Sequence, residues 1–140
     1  QFWPPVPRGH TGHQRGGLRV KGIVITTADD VSVQDFTPPL HESLGRAVGG
    51  YIEIVHPQGL NRPYCMVVNE EGLIHGLPLN RAGSLLYGTQ FHGSPIVGDI
   101  VIMAEGEMDG GIDFADIPSD RLEAIKKELI NSFELKGAEQ

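Results

Sequence analysis

Leu40-His41-Glu42-Ser43-Leu44-Gly45-Arg46-Ala47-Val48-Gly49-Gly50-Tyr51-Ile52-Glu53-Ile54-Val55-His56 changes its hydrophobic period halfway along. Up to Val48, the apolar positions Leu40, Leu44, Ala47 and Val48 fall at helical spacing on one face. From Tyr51 onward apolar and polar residues alternate, as they do along a half-buried strand. Gly49-Gly50 stands at the change, and glycine just past the last periodic residue is a helix stop. The stretch therefore predicts a helix that hands the chain straight to a strand.

Working toward the N-terminus, Thr37-Pro38-Pro39 opens that helix. Before it, Val20 to Thr26 is rich in β-branched residues, and Val31 to Phe36 alternates. Ala28-Asp29-Asp30 turns between them, so the two read as a hairpin. Toward the C-terminus, Pro57-Gln58-Gly59 turns the chain. Tyr64-Cys65-Met66-Val67-Val68-Asn69 is a near-continuous apolar run, which predicts a strand covered on both faces. Glu70-Glu71-Gly72 turns again. Asn80 is placed to cap a short helix from Arg81 to Tyr87, with Gly88 to end it. Pro95 to Ala104 reads as a further strand, with Gly98 as a bulge or a close backbone approach. An acidic loop is expected from Glu105 to Asp116. The last helix follows Pro118, with a Ser119 or Asp120 cap, Glu123 completing a capping box, and Leu122, Ile125, Leu129 and Phe133 on its buried face. Lys136-Gly137 should close it.

The predicted order is ββαββαβα. Tight turns between several elements favour an α+β domain. Its sheet should be mixed or mainly antiparallel, with about five strands, two short helices and a C-terminal amphipathic helix. One domain over residues 18–140 suits the length of 140 residues. Residues 1–17 hold Trp3-Pro4-Pro5-Val6-Pro7, His10, His13 and Gly16-Gly17 without periodicity. They read as a mobile Pro/Gly-rich arm or as a fused addition foreign to the domain.

Composition bounds the function. The 19 Gly and 10 Pro point to many turns. A single cysteine, Cys65, permits no intrachain disulfide and suits a reducing compartment. No stretch approaches the roughly 18 apolar residues of a membrane span. A cytoplasmic protein without membrane attachment is the expectation. Residues 1–21 carry Arg8, Arg15, Arg19 and Lys21 and no acid, so the remainder sets 7 basic residues against all 18 acidic ones. A body this acidic argues against direct nucleic-acid binding, whose affinity comes from neutralising phosphates. Basic protein partners, cations and DNA mimicry remain open to it, as does plain solubility.

Candidate chemistry is sparse. Glu105, Glu107, Asp109, Gly110, Ile112, Asp113 and Asp116 match the alternating oxygen ligands, glycine and apolar position of a twelve-residue calcium loop. The end residues are Glu and Asp rather than Asp and Glu, and a strand precedes where a helix should, so a solvated acidic turn is the competing reading. His56, His75, His92 and Cys65 show no zinc-ligand spacing. Cys65 sits in an apolar run and reads as a packed thiol. Ser43, Ser84 and Ser94 lack a nucleophile elbow, and no phosphate-binding glycine signature is present. Gly76-Leu77-Pro78-Leu79-Asn80-Arg81-Ala82 sets a Pro-fixed turn, an amide and a cation at a helix start. That combination suits an anion cradle, or a simple cap with Arg81 paired to a surface acid.

Val48-Gly49-Gly50-Tyr51-Ile52-Glu53, Val67-Val68-Asn69-Glu70-Glu71-Gly72, Gly76 to Ala82, Leu86-Tyr87-Gly88 and Ile96-Val97-Gly98-Asp99 occur in this order. The pattern, across about residues 20–104, resembles a family of small domains of unknown function common in phages and in mobile elements of Gram-positive bacteria. The resemblance implies a setting in the host bacterium's cytoplasm, where such proteins often counter host defences. It implies no activity. The expectation is a non-enzymatic accessory protein that binds or sequesters a nucleotide-like small ligand and needs no cofactor. Its site is expected where the Gly49-Gly50-Tyr51 turn, the Asn80-Arg81 helix start and Tyr87 converge. There Tyr51 and Tyr87 stack on a ring, Arg81 takes an anion, Asn80 caps and Glu53 orients a polar group. The alternatives are an acidic protein-interaction or DNA-mimic module acting on a host protein, and a metal-dependent hydrolase. A homo-oligomer is compatible with each.

Overall fold

The computed structural model of the chain describes residues 19–108 and 111–137. The expected arm at residues 1–17 lies outside the described residues. The elements are β1 (Val20–Ile25), β2 (Asp30–Phe36), α1 (Leu40–Val48), β3 (Ile52–Val55), β4 (Tyr64–Asn69), α2 (Arg81–Tyr87), α3 (Thr89–His92), β5 (Ile100–Met108), β6 (Gly111–Ala115), α4 (Ser119–Phe133) and β7 (Lys136–Gly137).

The strands form one sheet in the order β3-β4-β5-β1-β2-β7. Every pairing along it is antiparallel except that of β7, which runs parallel to β2, so the sheet is mixed. β5 is the spine. Its first half pairs with β4 on one side and β1 on the other, and its second half, from Ala104 to Met108, pairs with β6. The class is α+β, with seven strands where about five were expected.

Strict alternation along the central strands explains their continuous apolar sequence. In β4, Cys65 and Val67 belong to one buried cluster, and Met66 and Val68 to the other. In β5, Val101 and Met103 face the first cluster, while Ile100, Ile102 and Ala104 face the second. Both faces are covered. α1 seals one with Leu44 and Val48. On the other, α2 contributes Ala82 and Leu86, and α4 contributes Leu122 and Leu129. Burying a side chain such as Leu44, which has no exposed surface, stabilises by about 1.5–3 kcal/mol. At Gly22 in β1 the side chains of the neighbouring strand β5 come so close that a Cβ would lie 2.5 Å from the Met103 sulfur.

Several boundaries differ from the sequence reading. Residues 95–99 are not part of β5. Gly98 takes a left-handed φ of 81°, and Leu79 and Val97 make an isolated bridge instead. The expected acidic loop is a β-hairpin, because its alternation of Glu105, Glu107 and Asp113 with smaller or apolar neighbours also suits an edge ribbon. α4 has Pro118 at its N-cap without a side-chain cap bond, so the capping box does not form; Asp120 lies in the first turn, where an acid complements the helix dipole. The helix ends at Glu134 in a left-handed conformation, and Lys136-Gly137 becomes β7.

Candidate functional site

Two devices shape the end of the sheet where β3 begins. The first is the exit from α1. Gly49 closes the helix with φ 89°, and the N–H groups of Gly49 and Gly50 both donate to the Gly45 carbonyl, at 2.8 and 3.0 Å. A Cβ at Gly45 would sit 3.0 Å from the Gly50 carbonyl oxygen, so the backbone there folds onto itself. The second is Asn69, the last residue of β4 and buried. Its Nδ2 donates to the Val48 carbonyl at 3.1 Å, and its Oδ1 accepts from the Glu71 N–H at 2.8 Å. One amide therefore ties the helix end to the turn after β4.

Between them lies an open cleft of about 790 Å³. His41, Glu42 and Arg46 of α1 form one wall; Glu70, Glu71 and His75 form the other; Gly45, Gly49 and Gly50 leave room between. Tyr51, 74% exposed, lines the mouth. Glu71 and His75 are paired at 3.3 Å. Arg46 has no ion pair or hydrogen bond among the described residues, whereas Arg19, Lys21, Arg81 and Lys136 each meet an aspartate. The cleft thus offers an aromatic face, an uncommitted guanidinium and hydrogen-bonding carboxylates.

The five ligand-binding positions expected from the sequence do not share one cavity. Tyr51 lines the cleft. Glu53 and Tyr87 line a second, smaller depression of about 320 Å³ on the α2 side of the sheet, sharing only Asn69 and Glu70 with the first. Asn80 has no exposed surface at all. Its Oδ1 accepts from the Gly83 N–H at 2.9 Å, and its Nδ2 donates to the carbonyls of Ile25 at 3.0 Å and Gly98 at 2.9 Å. Every polar function of the side chain is taken, so the anion cradle at Asn80 is corrected to an internal clamp. Arg81 turns to Asp29 in the β1–β2 turn, 3.4 Å away, and to the Phe133 carbonyl at the end of α4. Its guanidinium binds two parts of the fold together, and Arg81 lines neither the cleft of Tyr51 nor the depression of Tyr87.

The acidic segment is likewise built into the sheet. Glu105 bonds His56 Nε2 at 2.9 Å, and Asp116 Oδ1 accepts from the Lys21 N–H at 2.8 Å. Glu107 pairs with Ile112, and Gly106 with Asp113, in the β5–β6 ladder. An extended ladder turns successive residues to opposite faces, whereas a calcium loop wraps them around one point. Asp109 lies outside the described residues, as do the side chains of Glu107 and Asp113. Among the described residues no group of three or more His, Cys, Asp or Glu is placed to hold a metal ion. Cys65 is fully buried, and burial, with the nearby Glu105 charge adding to it, pushes its thiol up to about 12. A thiol so high remains protonated and is a poor nucleophile.

Sequence reasoning missed Arg46, Asn69 and the Glu70, Glu71 and His75 wall. Asn69 carried a signal: an Asn at the end of an apolar strand, before Glu-Glu-Gly, suits an Asx turn. Arg46 carried none, since a basic residue in the last turn of a helix has a sufficient explanation in the dipole.

The fold and cleft together define a small α+β domain, helices on both faces of a mixed sheet, with an open polar and aromatic cleft at one end. The chain belongs to the DUF3846 family, a domain of unknown function, whose model matches residues 20–130. No curated protein matches the chain. A solved structure, the crystal structure of small RNA methyltransferase HEN1, is similar with a TM-score of 0.49 at 14% identity. The match covers 78% of this chain but 16% of that one. Among the described residues no helix is long and apolar enough to cross a membrane.

Proposed function

We propose that this domain is a non-enzymatic binding protein whose cleft between α1 and the β4 turn takes a nucleotide-like ligand. The observation that carries the reading is the pairing of an exposed Tyr51 ring with an unpartnered Arg46 across a glycine-lined gap. A base stacks on Tyr51, a phosphate meets the Arg46 guanidinium, and ribose hydroxyls donate to Glu70 or Glu42. Arginine matches phosphate oxygens in a fork geometry, and carboxylates are common acceptors for ribose hydroxyls. The cleft volume falls within the roughly 300–1,000 Å³ of small-molecule sites. Tyr51 is thus kept from the site expected by sequence, and Arg46 replaces Arg81 as the anion partner. The buried, protonated Cys65 supplies no activated nucleophile to make the site catalytic. The phage or mobile-element setting implied by the resemblance gives such binding a role, sequestering a nucleotide signal in the host and so countering its defence.

Isothermal titration of the full chain against cyclic and ADP-ribose-derived nucleotides tests this. Saturable binding is expected. Tyr51→Ala should weaken it by about 1–3 kcal/mol, the usual worth of a base stacked on an aromatic ring. Arg46→Ala should weaken it by a similar amount, about 1.5–3 kcal/mol for a hydrogen bond to a charged group. Absence of binding to every member at high micromolar concentration refutes the reading.

A further inference from the structure

β3 ends the sheet, so its outer edge has no partner strand among the described residues. The Glu70 N–H donates to the Tyr51 carbonyl at 2.8 Å, next to the pairs Ile52–Asn69 and Glu53–Val68. Hydrogen-bonded and non-hydrogen-bonded pairs alternate in an antiparallel ladder, so Ile52 and Ile54 direct their N–H and C=O groups outward. The four-residue strand Ile52-Glu53-Ile54-Val55 holds no Pro, no Lys and no bulge, and Glu53 is its one charged side chain. Beside it lies the smaller depression, walled by Leu73, Ile74 and Val97 and rimmed by Glu53 and Glu70. Leu73 and Ile74 are 65% and 80% exposed. Neither rim carboxylate has an ion-pair partner among the described residues.

We propose that this edge and its groove receive an extended, basic segment of a protein partner by strand addition. The partner's backbone pairs with Ile52 and Ile54. Its Lys or Arg side chains answer Glu53 and Glu70, and its apolar residues cover Leu73 and Ile74. Charge selects this occupant. A second copy of the chain, paired about a two-fold at Glu53, sets that carboxylate against its own copy, and the acidic bodies repel each other. The edge and its groove share Ile52, Asn69 and Glu70 with the ligand cleft but use neither Tyr51 nor Arg46, so loss of nucleotide binding and loss of peptide binding are separable.

The test uses the full chain and three ten-residue peptides: one alternating Lys and Val, the same peptide N-methylated at alternate residues, and a Glu–Val counterpart. Fluorescence anisotropy at low salt should give the Lys–Val peptide a Kd below about 100 μM, with the Glu–Val peptide undetected. N-methylation should weaken binding about tenfold or more, because it removes the ladder donors. Ile54→Pro, which deletes an outward N–H, and Glu53→Lys should each do the same. Equal binding of the N-methylated peptide overturns the proposal and needs no variant to fold. Unchanged binding by well-folded Ile54→Pro or Glu53→Lys protein also overturns it. So does a concentration-dependent dimer abolished by Ile54→Pro, which assigns the edge to a second copy.

Discussion

Asn80→Asp separates capping from clamping. Asp and Asn are about equally good N-caps, so a reading confined to the α2 N-terminus predicts almost no effect. The fold predicts otherwise. The introduced carboxyl would keep the bond from Gly83 N–H but lose both donors, leaving the Ile25 and Gly98 carbonyls facing a carboxylate oxygen in a site with no exposure. A charge buried there without a partner is very costly, so the carboxyl takes up a proton instead. Holding a carboxyl protonated at pH 7, about three units above its ordinary value of roughly 3.9, costs about 4 kcal/mol. The protonated acid donates to only one of the two carbonyls, and the other adds about 1–3 kcal/mol. The sum, about 5–7 kcal/mol, rivals the whole stability of a domain, roughly 5–15 kcal/mol. Asn80→Ala loses the cap, about 1 kcal/mol, and both donors, about 1–3 kcal/mol each, so about 3–7 kcal/mol in all. Urea unfolding followed by circular dichroism should therefore place both Asn80→Ala and Asn80→Asp several kcal/mol below wild type at pH 7. The folded pKa of the new carboxyl is raised above its unfolded value. Its penalty is therefore absent below the unfolded value and grows as pH rises toward the folded one, so the gap to wild type narrows from pH 7 to pH 4.5. An Asn80→Asp variant within about 0.5 kcal/mol of wild type at pH 7 refutes the clamp.

Gly22→Ala should cost about 1–3 kcal/mol in urea unfolding, because the new Cβ meets the Met103 sulfur at 2.5 Å and Val101 Cγ1 at 2.9 Å; a neutral result would mean that these β5 side chains move aside freely. Cys65 should resist a disulfide reagent at pH 8 until the chain is denatured, and rapid labelling of native protein would contradict its burial. Its raised thiol pKa also implies stability that is complete below the ordinary value of 9.0 and lost as pH rises toward about 12, visible as falling urea midpoints above pH 9. Arg81→Ala should cost about 1–2 kcal/mol, since it removes a half-exposed pair with Asp29 and a bond to the Phe133 carbonyl, and should leave nucleotide titrations unchanged.

How far each feature could be read depended on whether its cause was local. The helix that stops at Gly49, the strand at Tyr64–Asn69 and the Asn80 cap follow from period, glycine conformation and side-chain capping, which act within a few residues. The acidic segment misled because alternating acids serve a calcium loop and an edge ribbon equally well, and only pairing with β5 decides between them. β7 is two residues long and exists only because α4 returns Lys136 to the Asp29 carbonyl.

The candidate site divides the same way. Tyr51 was legible as a stacking ring beside the glycine turn, though its exposure was not, and the cap at Asn80 was legible from its position. The two further carbonyls that consume Asn80 lie 55 and 18 residues away in sequence. Arg46 and Glu70 become walls of one cleft only when Asn69 joins the α1 end to the β4 turn. By itself, the sequence determined the element order, the apolar faces and the α+β class, because hydrophobic period and turn chemistry are properties of short stretches. Only the tertiary structure decided which polar groups are spent inside the fold and which remain at the surface, because that depends on partners brought together from distant parts of the chain.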